Sequence, residues 1–253
     1  MKDFWGMRML VRLPLDSSHM IFIRSVIRKI GVTRLLSRLF PADNNSYEQR
    51  FQEEMKQAIK MGDVVWDVGA YQGYYTENFY KWVGAKGKVI AFEPVPDSFR
   101  LLMSKVNLLH DNHSRIECYN IALGNTSGSI RFLVDREPSS PTCRVLTTGD
   151  SLVKGNIVEL PIERGDELVG RLALSKPNVI KIDVEGYEYE VLQGLDEMLS
   201  RDSCRDIFVE IHFKLLEERG KPMNPNHIIS FLRNKGFSVK WVDLSHLRAS
   251  RNS

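Results

Sequence analysis

The chain has 253 residues, 43% of them hydrophobic and 26% charged, with a formal net charge of +3. That composition is globular rather than disordered, and the length suffices to bury a core without disulfides or metals. The three cysteines, Cys118, Cys143 and Cys204, form neither a C-x-x-C nor an even framework, which argues against a zinc finger and a disulfide scaffold and for a reducing, cytoplasmic setting.

Charge is placed unevenly along the chain. Residues 1–41 hold eight basic and two acidic side chains, so the remainder is mildly acidic and a nucleic-acid backbone is not the expected partner. Arg8 and Arg12 interrupt any apolar core of a secretory signal, and no apolar run approaches the ~18–20 residues of a membrane span. Residues 20–40 pattern as two short amphipathic helices broken near Gly31. Ile23, Val26, Ile27 and Ile30 share one face of the first; Val32, Leu35, Leu36, Leu39 and Phe40 share one face of the second. Two readings stay open: a cap or homodimer contact, or a basic helix lying peripherally on a membrane. Residues 1–45 are read as a basic extension and 46–253 as one domain.

Pro41–Ser46 is a polar break, and Asn45 or Ser46 is expected to cap a helix over Tyr47–Met61 with Phe51, Met55, Ala58 and Ile59 inward. Strands and helices then alternate. Strands are expected at 64–68, 88–93 and 115–120, and helices at Tyr74–Val83 and from Asp97 to about Leu109. An insertion over about 124–170 carries a turn signal and an alternating strand, read as a hairpin, and a further strand in IVELPIE. The alternation resumes with strands at 178–184, 206–213 and 237–243 and helices at Tyr187–Leu199 and Pro225–Lys235. Apolar strands separated by helices imply a parallel sheet covered on both faces.

The turn after the first strand reads Asp67-Val-Gly69-Ala-Tyr-Gln-Gly73. Glycines at such a turn let the backbone approach a ligand. A dinucleotide fold shows G-x-G-x-x-G, but here Asp67 stands at the first glycine and Gln72 at the third. A carboxylate there repels a diphosphate and suits a cationic ligand such as S-adenosylmethionine. Glu93 ends the second strand, where a carboxylate can accept both hydroxyls of a ribose.

The segments DVGAYQGYYT, VIAFEPVPDSF, NIALG, IKIDVEGYEYEVLQG and VEIH occur in the order seen in FkbM-type methyltransferases, a family of S-adenosylmethionine-dependent enzymes that this chain resembles from about Tyr47 to Asp243. The resemblance implies the class I methyltransferase fold: a Rossmann-like α/β sheet of seven strands, largely parallel with one antiparallel strand, here with a β-rich insertion and an N-terminal helical extension. It implies that Asp67, Gly69 and Gly73 serve the methionine end of the cofactor, Glu93 the ribose, and Asn120 to Ala122 the adenine. Ala70, Tyr71, Tyr74, Thr76, Pro94 and Asp183 complete the expected cofactor-binding set. Tyr71, Tyr74 or Tyr75 could lean on the sulfonium by cation–π attraction or pack the helix instead. The chain runs only ten residues past Asp243, so the last antiparallel strand is expected to be short or missing.

Methyl transfer to oxygen needs alignment and, for an ordinary hydroxyl, a base. Two strand ends carry polar pairs, Asp183 with Glu185 and Glu210 with His212. Alternation puts each pair on one face if its strand persists that far. All four are candidate catalytic groups, with His212 the expected base and Glu185 read equally as a helix cap. Lys181 is read as neutralising Asp183. These groups could also hold a divalent cation, but no ligand spacing demands one and no metal site is assigned. The expected reaction is O-methylation of a hydroxyl on a small molecule, glycan or lipid-linked sugar, yielding S-adenosylhomocysteine. The competing readings are a nicotinamide-dependent oxidoreductase and a non-catalytic S-adenosylmethionine-binding protein.

Overall fold

The computed structural model describes residues 44–109, 115–134, 143–146, 155–201 and 203–251. The amphipathic stretch at 20–40 and most of the Pro41–Ser46 break lie outside them. The first described helix, α1, spans Asn44–Ala58. Asn45 and Ser46 therefore sit within the helix rather than at its cap, and it stops three residues short of Met61. Its inward face is as patterned: Phe51, Met55, Ala58 and Ile59 are all buried.

The alternation builds a seven-stranded sheet in the order β10-β11-β9-β8-β1-β2-β3. Its central strands are β1 (Val64–Val68), β2 (Lys88–Phe92), β3 (Ile116–Tyr119), β8 (Val179–Ile182) and β9 (Asp206–Glu210), all mutually parallel. β10 (Ser238–Trp241) forms the far edge. The last strand is neither missing nor vestigial. β11 (His246–Ser250) inserts antiparallel between β9 and β10 over five residues.

Helices α2 (Tyr74–Trp82) and α3 (Pro96–Asn107) connect the first three strands. The later connections use α4 (Gly165–Leu172), α5 (Glu188–Gly194), α6 (Asp196–Leu199), α7 (Phe213–Glu218) and α8 (Asn224–Asn234). The helix expected over Tyr187–Leu199 is thus two pieces broken at Leu195. Asp166 accepts the N–H groups of Glu197 and Met198, both at 2.9 Å, which satisfies the donors exposed at the start of α6.

The near-continuous apolar strands split by pleat between two cores. Trp66 and Val68 of β1 join Ile180, Ile182, Ile207 and Val209 under α5 and α8. Val65, Val89, Val179 and Phe208 pack on the opposite face with Phe51 and Met55 of α1 and Phe79 of α2. Burial on both faces accounts for strands without clean alternation.

The insertion forms a second sheet in the order β4-β7-β5-β6. Its strands are β4 (Ala122–Leu123), β5 (Gly128–Val134), β6 (Cys143–Val145) and β7 (Asn156–Glu163). The turn at 124–127 does not close a hairpin. β7 lies between the strands flanking that turn, parallel to β4 and antiparallel to β5. Phe132, Val145, Leu160 and Ile162 give this sheet its own apolar cluster with Val95 and Ala122. Among the described residues no helix is long and apolar enough to cross a membrane.

Candidate functional site

Strand order reverses beside β1: the chain proceeds to β2 and β3 on one side and returns through β8 on the other. Open α/β sheets bind ligands in the crevice at such a switch point, beyond the carboxyl ends of the strands. A cavity of about 810 Å³ lies there, lined among others by Gly69, Tyr71, Glu93, Pro94, Asp183 and Glu185.

The glycine turn is shaped by packing as much as by ligand access. Gly69 and Gly73 have φ of 79° and 80°, a region that favours glycine. A Cβ on Gly69 would stand 1.8 Å from the Asp183 carbonyl oxygen, and one on Gly73 would stand 2.7 Å from Leu102 Cδ1. The N–H groups of Gly69 and Ala70 both donate to the Phe92 carbonyl at 3.0 Å. The turn is thereby held against β2 and the loop after β8.

Glu93, 5% exposed, follows β2 and lines the cavity. Its two carboxylate oxygens accept the N–H groups of Tyr71 and Val95, each at 2.8 Å. A carboxylate has about four lone-pair directions, so both oxygens keep capacity for hydroxyl donors. Burial pushes the Glu93 carboxyl up to about 7 against those two donors. Val68, Phe92, Val95 and Ile121 give the adjoining wall an apolar surface suited to a purine.

Several expected contacts lie behind the cavity rather than on it. Asp67 is fully buried. Thr76 donates its hydroxyl to Asp67 Oδ2 at 2.6 Å, and Lys181 Nζ lies 3.4 Å from Oδ1. Asp67 and Thr76 therefore brace the turn. Gly73 and Ala70 are likewise absent from the cavity wall. Tyr74 is exposed and donates its hydroxyl to Gln52 on α1. Tyr75 offers its ring to Lys181, 5.0 Å from the centroid, rather than to the cavity. Asn120 braces Glu93 by donating to the carbonyls of Glu93 and Pro94, while Ala122 does line the cavity.

The four candidate catalytic groups converge, though not by strand alternation. β8 ends at Ile182 and β9 at Glu210. Glu185 turns the chain at φ 52°, and His212 precedes α7, its carbonyl accepting the Leu216 N–H at 3.0 Å. His212 Nε2 then lies 3.6 Å from Asp183, 3.5 Å from Glu185 and 3.9 Å from Glu210. Its Nδ1 lies 2.8 Å from Glu188 Oε1. Glu188, the first residue of α5, accepts the Gly186 N–H at 2.9 Å, and the N-cap Tyr187 makes no side-chain cap bond.

Electrostatics revise the role expected of His212. Burial alone would lower its pKa, but the bond to Glu188 and the charges of Glu188, Asp183 and Glu185 carry it up to about 10. At neutral pH it is an imidazolium with no free acceptor, so it is not the ready base that an unperturbed histidine would be. Burial pushes Glu185 up to about 7. Asp183 is held below the usual carboxylate range: burial opposes this, and the Lys181 ammonium 3.2 Å away and His212 prevail.

Two site residues carried no sequence signal that was read as functional. Glu188 lies in the IKIDVEG-x-E block, which marked it without a role. His246 opens β11, the strand expected to be short or missing. Its Nδ1 lies 2.7 Å from Asp243 and its Nε2 3.4 Å from Glu210, with its ring stacked on Phe51.

Comparison with known proteins agrees with this architecture. The chain is 35% identical over 154 residues to hexuronic acid methyltransferase AglP of Haloferax volcanii, covering 59% of this chain and 56% of that protein, so it spans little more than half of that relative. It is 24% identical over 190 residues to methyltransferase 1 of Beauveria bassiana, covering 68% and 71% respectively. The crystal structure of the FkbM methyltransferase from Methylobacillus flagellatus KT superposes with a TM-score of 0.51 at 15% identity, covering 74% of this chain and 43% of that one, which establishes the shared fold. The family model for the methyltransferase FkbM domain matches residues 67–239. That span takes in the glycine turn, Glu93 and all four converging polar groups, and the chain belongs to the FkbM methyltransferase family.

Proposed function

We propose that the protein is an S-adenosylmethionine-dependent O-methyltransferase acting on a hydroxyl of a sugar-type acceptor, a glycan or lipid-linked sugar. The carrying observation is a single cavity whose wall takes in Glu93, Asp183 and Glu185 together. This arrangement suits the cofactor chemically. Glu93 would take the ribose hydroxyls, and the apolar wall around Val95 and Ile121 the adenine. Asp183 would face the positively charged methionine portion. Adenosylmethionine supplies the methyl group as a sulfonium.

This chain's residues then align the acceptor and handle one proton. Glu185 lines the cavity with a carboxyl near 7, the range in which a general base works best at neutral pH. It accepts the hydroxyl proton as oxygen takes the methyl group. His212, already protonated, steadies Asp183, Glu185 and Glu210 and positions them. Lys181, 3% exposed, ties Asp183 to Asp67 and to the Gly69 carbonyl. Within this proposal the enzyme works in the cytoplasm, and residues 20–40 bring it to a membrane surface or to a second copy.

A sugar acceptor is supported by the Haloferax relative, whose name records a hexuronic acid as its substrate. The test is methyl-labelled adenosylmethionine incubated with the full chain and a panel of neutral sugars, hexuronic acids and lipid-linked glycans. Alkali-stable label on a sugar oxygen is expected. Alkali-labile label would mean an ester at a carboxylate and would overturn the hydroxyl assignment. Tight binding of a nicotinamide cofactor in place of adenosylmethionine would overturn the reading altogether.

A further inference from the structure

Asp183, Glu210 and His212 come from two loops and a strand end, yet one side-chain donor atom from each falls within 4.8 Å of the other two. Ligands around one divalent cation at about 2.1–2.4 Å lie roughly 3–4.8 Å apart. All three groups are partly open, at 27%, 33% and 17% exposure, so an ion can reach them and coordination positions remain for a ligand.

The group behind the cluster provides a second observation. Glu188 is fully buried, and its carboxylate holds His212 Nδ1 at 2.8 Å. Its other oxygen, Oε2, is buried with no hydrogen-bond partner. A buried carboxylate on one imidazole nitrogen fixes the ring, which is how metal-ligating histidines are held; a cation binding at Nε2 would displace the proton that nitrogen carries in the metal-free chain and release it to solvent. Here Nε2 faces Asp183, Glu185 and Glu210. Glu210 is backed in the same manner, with Oε2 lying 3.4 Å from His246 Nε2 and His246 resting on Asp243. Four carboxylates therefore surround His212, while the nearby ammonium of Lys181 is shared with Asp67.

We propose that Asp183, Glu210 and His212 bind one hard divalent cation of the magnesium–manganese class, whose open positions take oxygens of the acceptor. The donor set of two carboxylates and one imidazole suits those ions better than a soft one. Glu188 is a positioning residue for His212. The acceptor-holding role rests on the methyl-transfer reading; cation binding itself does not. Glu185 stands outside the three-donor set and keeps its place as proton acceptor, beside a hydroxyl that the cation would make more acidic.

The test is titration of the chelator-treated full chain with manganese, with free Mn²⁺ followed by electron paramagnetic resonance. One ion per chain is expected, and His212→Ala and Glu210→Gln should each weaken binding at least tenfold. Glu188→Gln leaves the three donors in place and should still weaken it by about 10- to 100-fold. Should the variants fail to fold, selective broadening of the His212 ring signals by Mn²⁺ in the native chain, with His227 unaffected, carries the same information. No binding up to millimolar manganese, equal affinity in all folded variants, or broadening that spares His212 would overturn the site. Adenosylmethionine calorimetry on the same samples separates the two ideas. Cofactor binding without manganese binding overturns only the cation site, and the reverse overturns only the methyl-transfer reading.

Discussion

Replacing Glu93 with Gln should make the protein relatively more stable at alkaline pH while weakening its hold on the cofactor. Burial raises the Glu93 carboxyl from 4.5 to about 7. A carboxyl raised on folding contributes stability that is fully present below its unfolded pKa and is lost as pH rises through its folded pKa. The shift of about 2.5 units corresponds to roughly 3 kcal/mol at about 1.36 kcal/mol per unit. Gln carries no charge to desolvate, but its amide nitrogen cannot accept, so it leaves one of the Tyr71 and Val95 N–H groups without its acceptor. Urea unfolding should therefore show the variant less stable than native at pH 5, by about 1–3 kcal/mol for the lost backbone bond, and gaining on the order of 3 kcal/mol relative to native between pH 5 and pH 8 to 9. Affinity for adenosylmethionine should move the other way. Losing a charge-assisted bond to ribose costs about 1.5–3 kcal/mol, or roughly 10- to 150-fold in Kd by calorimetry. A stability difference independent of pH, or an unchanged Kd in the folded variant, would refute the assignment of Glu93 as a buried ribose acceptor.

In chelator, His212, raised to about 10, should contribute stability that is fully present below about 6.5 and lost as pH climbs through 10; His212→Ala should accordingly lose more stability at pH 6 than at pH 10.5 in urea titrations, and the native pH–rate profile should show no limb that this variant removes near 6.5. Glu185→Gln should reduce turnover by about 100- to 10,000-fold and abolish a rising limb near pH 7, with cofactor Kd within a few-fold of native; a Glu185→Gln enzyme retaining most of its rate would place the base elsewhere. Gly69→Ala should not give folded protein, because the new Cβ would meet a backbone carbonyl at 1.8 Å, whereas Gly62→Ala, with nothing within 4 Å, should cost only about 1 kcal/mol for its left-handed φ. Anionic liposomes should retain the full chain more than a chain starting at Asp43, and equal flotation combined with equal mass in solution would remove both membrane and dimer roles from residues 20–40.

The central strands were legible because the sheet buries both faces, and apolar runs such as Val64–Val68 and Val179–Ile182 have no other soluble use. The insertion was misread at one point for a local reason. A turn signal at 124–127 marks a change of direction but not which strand will fill the gap, and β7 arrives from some thirty residues later in the chain. The ten residues after Asp243 suggest room for little more than a stub, yet five of them, His246–Ser250, pair with the adjacent β10 and with β9. At the site, Glu93 and the four converging groups could be named from strand-end positions. What sequence could not give was their surroundings. Asp67 looked like a ligand contact and proved to be a buried brace, since Thr76 and Lys181 reach it across the turn. His212 looked like a neutral base because its carboxylate neighbours Glu188 and Glu185 come from a different strand end.

On the proposed function, this cavity binds adenosylmethionine with Glu93 and passes a methyl group to an acceptor oxygen beside Glu185. The most direct measurement is transfer of label from methyl-labelled adenosylmethionine by three proteins run side by side: the native chain, Glu93→Gln and Glu185→Gln. Labelled, alkali-stable product is expected from the native chain, with recovery of the Glu93→Gln rate at saturating cofactor and no such recovery for Glu185→Gln. Equal rates from all three, or no cofactor binding by the folded native chain, would contradict the proposed function.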